Sequence, residues 1–419
     1  MRNQTTMALS TPAPSLTLPA QLAIEISSEG ELEQVRPLID FLLQQRPSEF
    51  VLELIFSSES VEKAVLELQR RHPRRIRIFR LPLFRPMGAL LGWITAKKLI
   101  LCRYDFYPSL MLYGRRNDVK FILLSATTKN RTSIRNAVGV VNSLINCYWG
   151  FIFSSFDKIM AASPLDEKIL NSFLSGHVCG RVRGRDREQR KVSFLDLRVL
   201  QIADRVSSEN LHDLQEGELK PFLQYLLQRF SHEQRLVVGS GWPIEGEIFA
   251  SADFRRAILR GELQVTIVPH CVHNFSLVNS YDLPLYYLFP GQDFSEQLRL
   301  LERRPGVVVV AFRGILCELY TYFADAFVGG GHGRSVHSLL EPYLAGCRVY
   351  CGPRIHRSTE YDLIYSLSPQ EIQVVENLSD FYRYYTEVRK LPRVSPMATR
   401  KYLLTQIRPH FEEFIKECF

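Results

Sequence analysis

No two cysteines in this chain form a Cys-x-x-Cys pair. The eight present fall at Cys102, Cys147, Cys179, Cys271, Cys317, Cys347, Cys351 and Cys418. That scatter speaks against a zinc knuckle or a disulfide framework and for a reduced, cytosolic protein with buried thiols. No stretch reaches the roughly 20 apolar residues of a membrane-spanning helix. Residues 1–19 are rich in Thr, Ser and Pro and lack the apolar core of a signal peptide, so they read as a flexible tail. There is no Asp-x-Asp element at a strand end, and no Gly-Lys-Ser/Thr closes a phosphate loop. No internal repeat is visible. The net charge of +8 favours an anionic partner. RNP-type, zinc-finger and helix-turn-helix patterns are missing, which leaves nucleic acid the least supported of such partners.

What the chain does have is a hydrophobic share of 46% over 419 residues, enough for two domains with proper cores. Short apolar runs at 22–26, 50–56, 121–125 and 158–162 read as buried strands, with helices expected over 32–45, 60–71 and 164–174. The second half repeats the alternation. A strand entering a turn is expected over 236–243, further strands over 265–268, 306–311, 326–328 and 348–350, and helices over 335–344, 379–389 and 397–419. Two such series imply an α/β protein with two doubly wound, Rossmann-like domains. We expect an N-terminal domain over 20–228, a C-terminal domain over 229–378, and closing helices over 379–419 that return to the first domain.

The densest pattern lies in residues 324–353. A strand ending at Val328 runs into Gly329-Gly330-Gly331 and His332-Gly333-Arg334. Helical spacing then places Val336, Leu339, Leu340 and Leu344 on one face, and Gly346 is set to stop that helix. Glycine lets backbone approach a ligand closely, and the N–H groups opening a helix attract an anion, so the unit suits a phosphate. It serves equally as a tight turn in an ordinary α/β domain. Glu341 is placed to reach ribose hydroxyls or to stay solvated. Earlier in the chain, Ser28 and Glu31 have the spacing of a capping box. The basic runs at 70–80 and 180–191 read as solvated segments or as anion-binding surfaces. The apolar stretch 87–96 reads as a core helix or as an interfacial one, with Trp93, Lys97 and Lys98 at lipid headgroups.

These residues resemble the Kdo (3-deoxy-D-manno-octulosonic acid) transferases. His337, Glu341, Pro342, Gly346 and Gly352-Pro353 fit that family's donor-binding signature, with Ser338 where Asn is usual. Gly30-Glu31 matches its Gly-Glu pair, and Ser125-Ala126 its Ser/Asn-Ala. Asp105 stands in place of a Glu, and Arg181 and Arg183 stand at Asn and Lys positions. Gly239-Ser240-Gly241-Trp242-Pro243 and Pro269-His270, with His273, match further elements, and Arg131 stands at a basic position. The similarity runs over about residues 23–385.

It implies a GT-B glycosyltransferase fold with two domains facing a cleft. The implied reaction is inverting, metal-independent transfer of Kdo from CMP-Kdo to a lipid A precursor in lipopolysaccharide biosynthesis. Glu31 would act as general base, with Asp105 as the second catalytic carboxylate. Arg181, Arg183, Ser240, His270, Gly331, Gly333, His337, Ser338 and Glu341 would bind the donor, and Gly30 and Arg131 the acceptor. No cofactor is implied, since CMP-Kdo is a substrate. The family commonly carries an N-terminal membrane anchor, and none is read here. A peripheral protein on the cytoplasmic face of an anionic inner membrane is therefore expected. The alternatives are a GT-B transferase for another nucleotide sugar, or an inactive relative that binds a lipopolysaccharide precursor.

Overall fold

The computed structural model describes residues 19–81, 93–103, 106–129, 140–176, 192–207, 211–272, 281–393 and 395–418. The chain divides into two compact units. The first is Met1–Arg198 with Ile407–Phe419, and the second is Val199–Gln406.

In the first unit the strands are β1 (Leu22–Ile26), β2 (Leu52–Phe56), β3 (Ile76–Arg80), β4 (Lys98–Cys102), β5 (Lys120–Ala126), β6 (Lys158–Ala161) and β7 (Ser193–Phe194). They form one parallel sheet in the order β3-β2-β1-β4-β5-β6-β7. The crossovers described include α1 (Glu29–Gln45), α2 (Glu59–Arg71), α3 (Pro108–Arg116), α4 (Val140–Phe153) and α5 (Pro164–Gly176). Helices on both faces explain why β1 and β2 are buried throughout, down to Glu25 and Glu53. The Glu53 carboxylate accepts from Thr95 N and Oγ1 and from Ala96 N, and it pairs with Arg77 at 3.5 Å. Burial pushes its pKa up.

The basic strand β3 is not a bare cationic face. Arg75 donates to the carbonyls of Leu43 and Phe50, Arg77 meets Glu53, and Arg80 pairs with Glu62 at 3.0 Å and Glu59 at 3.3 Å. Residues 87–92 of the apolar stretch lie outside the described residues. The part that is described, Trp93 to Ala96, is non-helical, and Trp93 is buried against Phe79 with ring centroids 4.8 Å apart. Trp93 is therefore core and not a headgroup anchor. Residues from Ile407 onward pack in this unit: Phe411 meets Phe41 edge-on at 5.2 Å, and His410 Nδ1 bonds the Phe194 carbonyl at 2.8 Å.

The second unit repeats the plan. Its strands are β8 (Arg235–Gly241), β9 (Gln264–Pro269), β10 (Leu285–Leu288), β11 (Val307–Val310), β12 (Asp325–Val328), β13 (Arg348–Cys351) and β14 (Ile372–Val374). All are parallel, in the order β10-β11-β9-β8-β12-β13-β14. Alternation along the strands builds two cores. Leu236, Val238, Val265, Ile267, Val307 and Val309 face one side, and Val237, Val268, Val308, Val310 and Ala326 the other. The remaining helices are α6 (Leu197–Arg205), which begins in the first unit, α7 (His212–Glu216), α8 (Lys220–Arg229), α9 (Ala252–Leu259), α10 (Ser295–Arg303), α11 (Leu316–Leu319), α12 (Leu340–Ala345), α13 (Thr359–Leu367), α14 (Phe381–Val388) and α15 (Pro396–Cys418), which passes back into the first unit at Ile407.

The helix expected over 335–344 is corrected here. Residues 335–338 are irregular, and α12 covers only Leu340–Ala345. The cause is Pro342. Deep inside a helix it would remove a hydrogen bond and clash with the preceding turn, whereas in a first turn it is tolerated. Among the described residues no helix is long and apolar enough to cross a membrane.

Candidate functional site

In both sheets the strand order reverses at the first strand, and ligands in open α/β sheets favour the carboxyl edge at that switch point. In the second unit the switch lies between β8 and β12. Strand β8 ends in a kink: the register against β9 shifts between Gly239 and Gly241, and Ser240 adopts φ +51°. Trp242 follows. From β12 the chain enters the glycine run. A Cβ on Gly329 would sit 2.3 Å from the Ser240 carbonyl oxygen, and one on Gly331 would sit 2.7 Å from the Gly352 backbone. Gly330 has φ +100°. Those three glycines are demanded by the protein's own packing. Gly333 differs, since a Cβ there meets no heavy atom within 4 Å.

One buried carboxylate ties the two edges together. Glu245 accepts from Trp242 N at 2.6 Å and from Gly330 N at 3.0 Å, and burial pushes its pKa up. Beside it, Trp242 Nε1 donates to His337 Nε2 at 3.0 Å, the two rings lying 11° from coplanar. His270 packs its face against both, with centroids 4.5 and 4.4 Å away. Burial, and then His270 and Arg334, push the His337 pKa down to about 4. The ring is neutral at pH 7, and because Nε2 accepts, its proton resides on Nδ1. Arg334 lies exposed, its guanidinium 4.5 Å from the Trp242 ring centroid.

The structure thus gathers Ser240, His270, Gly331 and His337 at one edge, with Gly333 at its open side. The start of α12 is closed from within the protein. The N–H groups of Leu339 and Leu340 at the start of α12 donate to Glu360 Oε2 at 2.6 and 2.8 Å, and Ser338 Oγ donates to the same oxygen at 3.3 Å. An internal carboxylate already fills that helix end. Glu341, half-buried, lies within electrostatic range of Arg205, Cys317 and Tyr320.

In the first unit the switch lies between β1 and β4, and the chain leaving β1 enters α1. Glu31 is buried there. Its Oε2 accepts from Ser27 N at 2.7 Å and Ser27 Oγ at 2.6 Å, while Ser28 Oγ accepts from Glu31 N at 3.3 Å. The capping bond predicted from the spacing forms, and the return bond falls on Ser27, one residue earlier than in a capping box. The carboxylate is held at the carboxyl edge of β1. A Cβ on the neighbouring Gly30 would meet nothing within 4 Å. Nearby in sequence order, Ser57 Oγ and Tyr107 OH lie 3.0 Å apart at the end of β2. Ser125, at the end of β5, has φ +53°. Thr127 and Thr128 donate to Asp166, whose other oxygen accepts from Ser163 Oγ. Asp105, Arg131, Arg181, Arg183 and His273 lie outside the described residues. Among the described residues no cluster of three or more His, Cys, Asp or Glu is placed to hold a metal.

Sequence reasoning assigned no role to Trp242, Glu245, Arg334 or Glu360. Glu245 could have been found, since it stands at cap spacing from Trp242. Glu360 carries no local signal, because it acts on residues 21 and 20 positions away.

Residues 5–183 match the family model of 3-deoxy-D-manno-octulosonic-acid transferase (kdotransferase). No curated protein matches significantly. Among solved structures, UGT89C1 of Arabidopsis thaliana complexed with quercetin is 11% identical, covers 96% of this chain and 99% of its own, and has a TM-score of 0.56. The same protein with UDP-L-rhamnose is 13% identical, covers 96% and 100%, and has a TM-score of 0.53. This likeness shows the fold, the two-domain α/β architecture of the GT-B glycosyltransferases. The C-terminal CMP-Kdo binding domain of WaaA from Acinetobacter baumannii is 16% identical over 44% of this chain and 98% of that domain, with a TM-score of 0.34.

Proposed function

From the match of residues 5–183 to the Kdo transferase family model, we propose that this chain is a glycosyltransferase that moves Kdo from CMP-Kdo to a lipid A precursor, with inversion and without a metal. The observation that carries this reading is Glu31. It lies within the matched residues, at the switch point of the first sheet, with its carboxylate oriented by two donors from Ser27. A fixed carboxylate is what a general base needs. In the proposed step the acceptor hydroxyl oxygen attacks the anomeric carbon, its proton passes to Glu31, and the bond to the phosphate oxygen breaks to release CMP. A single displacement of this kind inverts the anomeric centre.

The second unit supplies the donor's surroundings. The neutral Trp242–His270–His337 group offers ring faces and an Nδ1–H donor without burying charge. A membrane-borne acceptor is supported by the outer face of α4, where Ile145, Tyr148 and Phe151 lie exposed beside exposed Leu112 of α3. Arg115 is 4.7 Å over the Phe151 ring. Aromatic and basic side chains together suit a lipid–water boundary.

The test is incubation with CMP-Kdo and lipid A precursor, reading the lipid by mass spectrometry. A mass increase by Kdo units is expected, and Glu31→Gln should abolish it while the melting temperature holds. An unchanged lipid mass beside an active reference transferase would refute the reading. Another nucleotide sugar as donor is the second reading, favoured by Ser338 being turned to Glu360.

A further inference from the structure

We infer that Arg334 is the side chain that takes the anionic group of the donor. This inference rests on the donor-site reading of the second unit and names the group that reading lacks. A nucleotide phosphate needs a counter-charge or a set of free N–H donors. The N–H groups opening α12 are bonded to Glu360, and those of Trp242 and Gly330 to Glu245. Two internal carboxylates have therefore taken these four backbone donors. They would also repel an anion placed against them.

Arg334 stands on the same loop, its backbone N–H bonded to the Gly330 carbonyl at 2.7 Å. Among the described residues its guanidinium has no ion pair and no hydrogen-bond partner, so its five N–H donors are unspent. It is nevertheless not adrift. The Trp242 ring lies 4.5 Å beneath it, and that ring is fixed by its own bond to His337 and by His270. A planar cation held over an indole, exposed and next to Gly333, is a pre-ordered fork for phosphate or carboxylate. An arginine of purely solvated character would have no such platform.

The experiment is calorimetric titration of the full chain with CMP and with cytidine, the pair that differs only in the phosphate. Wild type should prefer CMP by roughly 10- to 100-fold, the range for charge-assisted bonds to one anion. Arg334→Gln should bring that ratio near one, leave cytidine within about twofold, and leave the melting temperature unchanged. Arg334→Lys, which keeps charge but not the fork, should fall between. A CMP/cytidine ratio unchanged in Arg334→Gln overturns the inference. Should that variant also weaken cytidine, Arg334→Lys decides, with recovery of the ratio supporting the role and no recovery refuting it. UMP and UDP against uridine form the second arm. An Arg334-dependent ratio seen only there sinks CMP-Kdo as the donor and keeps the inference. A wild type that binds none of these nucleotides sinks both.

Discussion

A methyl group added at Gly331 and one added at Gly333 should do opposite things. At Gly331 the new atom lands 2.7 Å from the Gly352 backbone, which cannot move without parting β12 from β13. Gly331→Ala is expected to cost about 1–3 kcal/mol of stability, seen as a lower denaturation midpoint. At Gly333 the space is open, so Gly333→Ala should leave the midpoint alone and weaken CMP binding if the donor passes there. Equal CMP affinity in wild type and Gly333→Ala would remove Gly333 from the donor site. The glycine run was legible in the sequence, but its reason was only half legible. Residues that touch Gly329 and Gly331 lie 89 and 21 positions away, at Ser240 and Gly352. Histidine 337 gives a second reading at this scale. Its imidazole should titrate near pH 4 as the Nδ1–H tautomer, observable by nitrogen-15 chemical shifts. Trp242→Phe removes the N–H that enforces the tautomer and should mix the two forms. A wild-type ring titrating near 6.5 would contradict the burial that lowers it.

Helix α12 shows what a pattern of apolar spacing leaves out. Val336, Leu339, Leu340 and Leu344 have helical periodicity, yet the helix waits until Pro342 can sit in its first turn. Glu360, on the following helix α13, then closes the open end through two backbone bonds and Ser338. Glu360→Ala should cost about 1–2 kcal/mol, the scale of a lost cap with a favourable helix-end charge, while Glu360→Gln should cost less. Urea denaturation checks both, and an unchanged midpoint in Glu360→Ala would mean that water replaces the carboxylate without penalty. Helix α4 makes a different point. Its sequence carries no charge, and burial and lipid contact select the same residue types. Only the fold shows which faces stay out. If Ile145, Tyr148 and Phe151 meet lipid, the variant Tyr148→Glu with Phe151→Glu should lose co-sedimentation with anionic vesicles by roughly tenfold and keep its melting temperature. Undiminished sedimentation would place the lipid-facing surface elsewhere.

At the scale of the molecule, both sheets are parallel and seven-stranded and reverse their order at the first strand, and each bends a serine into positive φ at a carboxyl edge, Ser125 and Ser240. The parallel sheets were legible because strands buried on both faces read as unbroken apolar runs, as in Leu22–Ile26 and Val307–Val310. The charges inside them were not. Glu53 and Asp325 lie in such strands, and their partners come from other elements. Asp325 supplies a test of how the whole chain responds to acid. Burial pushes its pKa up to about 6, against the pull of Arg389, Arg348 and Arg393. The folded state therefore holds a proton that the unfolded chain releases near 3.8. The stability from that proton is full below 3.8 and is lost as pH rises through about 6. His337 acts in the other sense, its contribution present above 6.5 and lost as pH falls through about 4. Between those limits the two slopes oppose each other. Asp325→Asn keeps an acceptor for the Tyr350 hydroxyl and removes one slope only. Its stability should therefore rise with pH more steeply than that of wild type, the gap changing by about 2–3 kcal/mol from pH 4 to pH 7. Every other titrating group is common to both chains and cancels in the difference. Parallel urea-denaturation profiles would show that the arginines around Asp325 already hold it charged in the folded state.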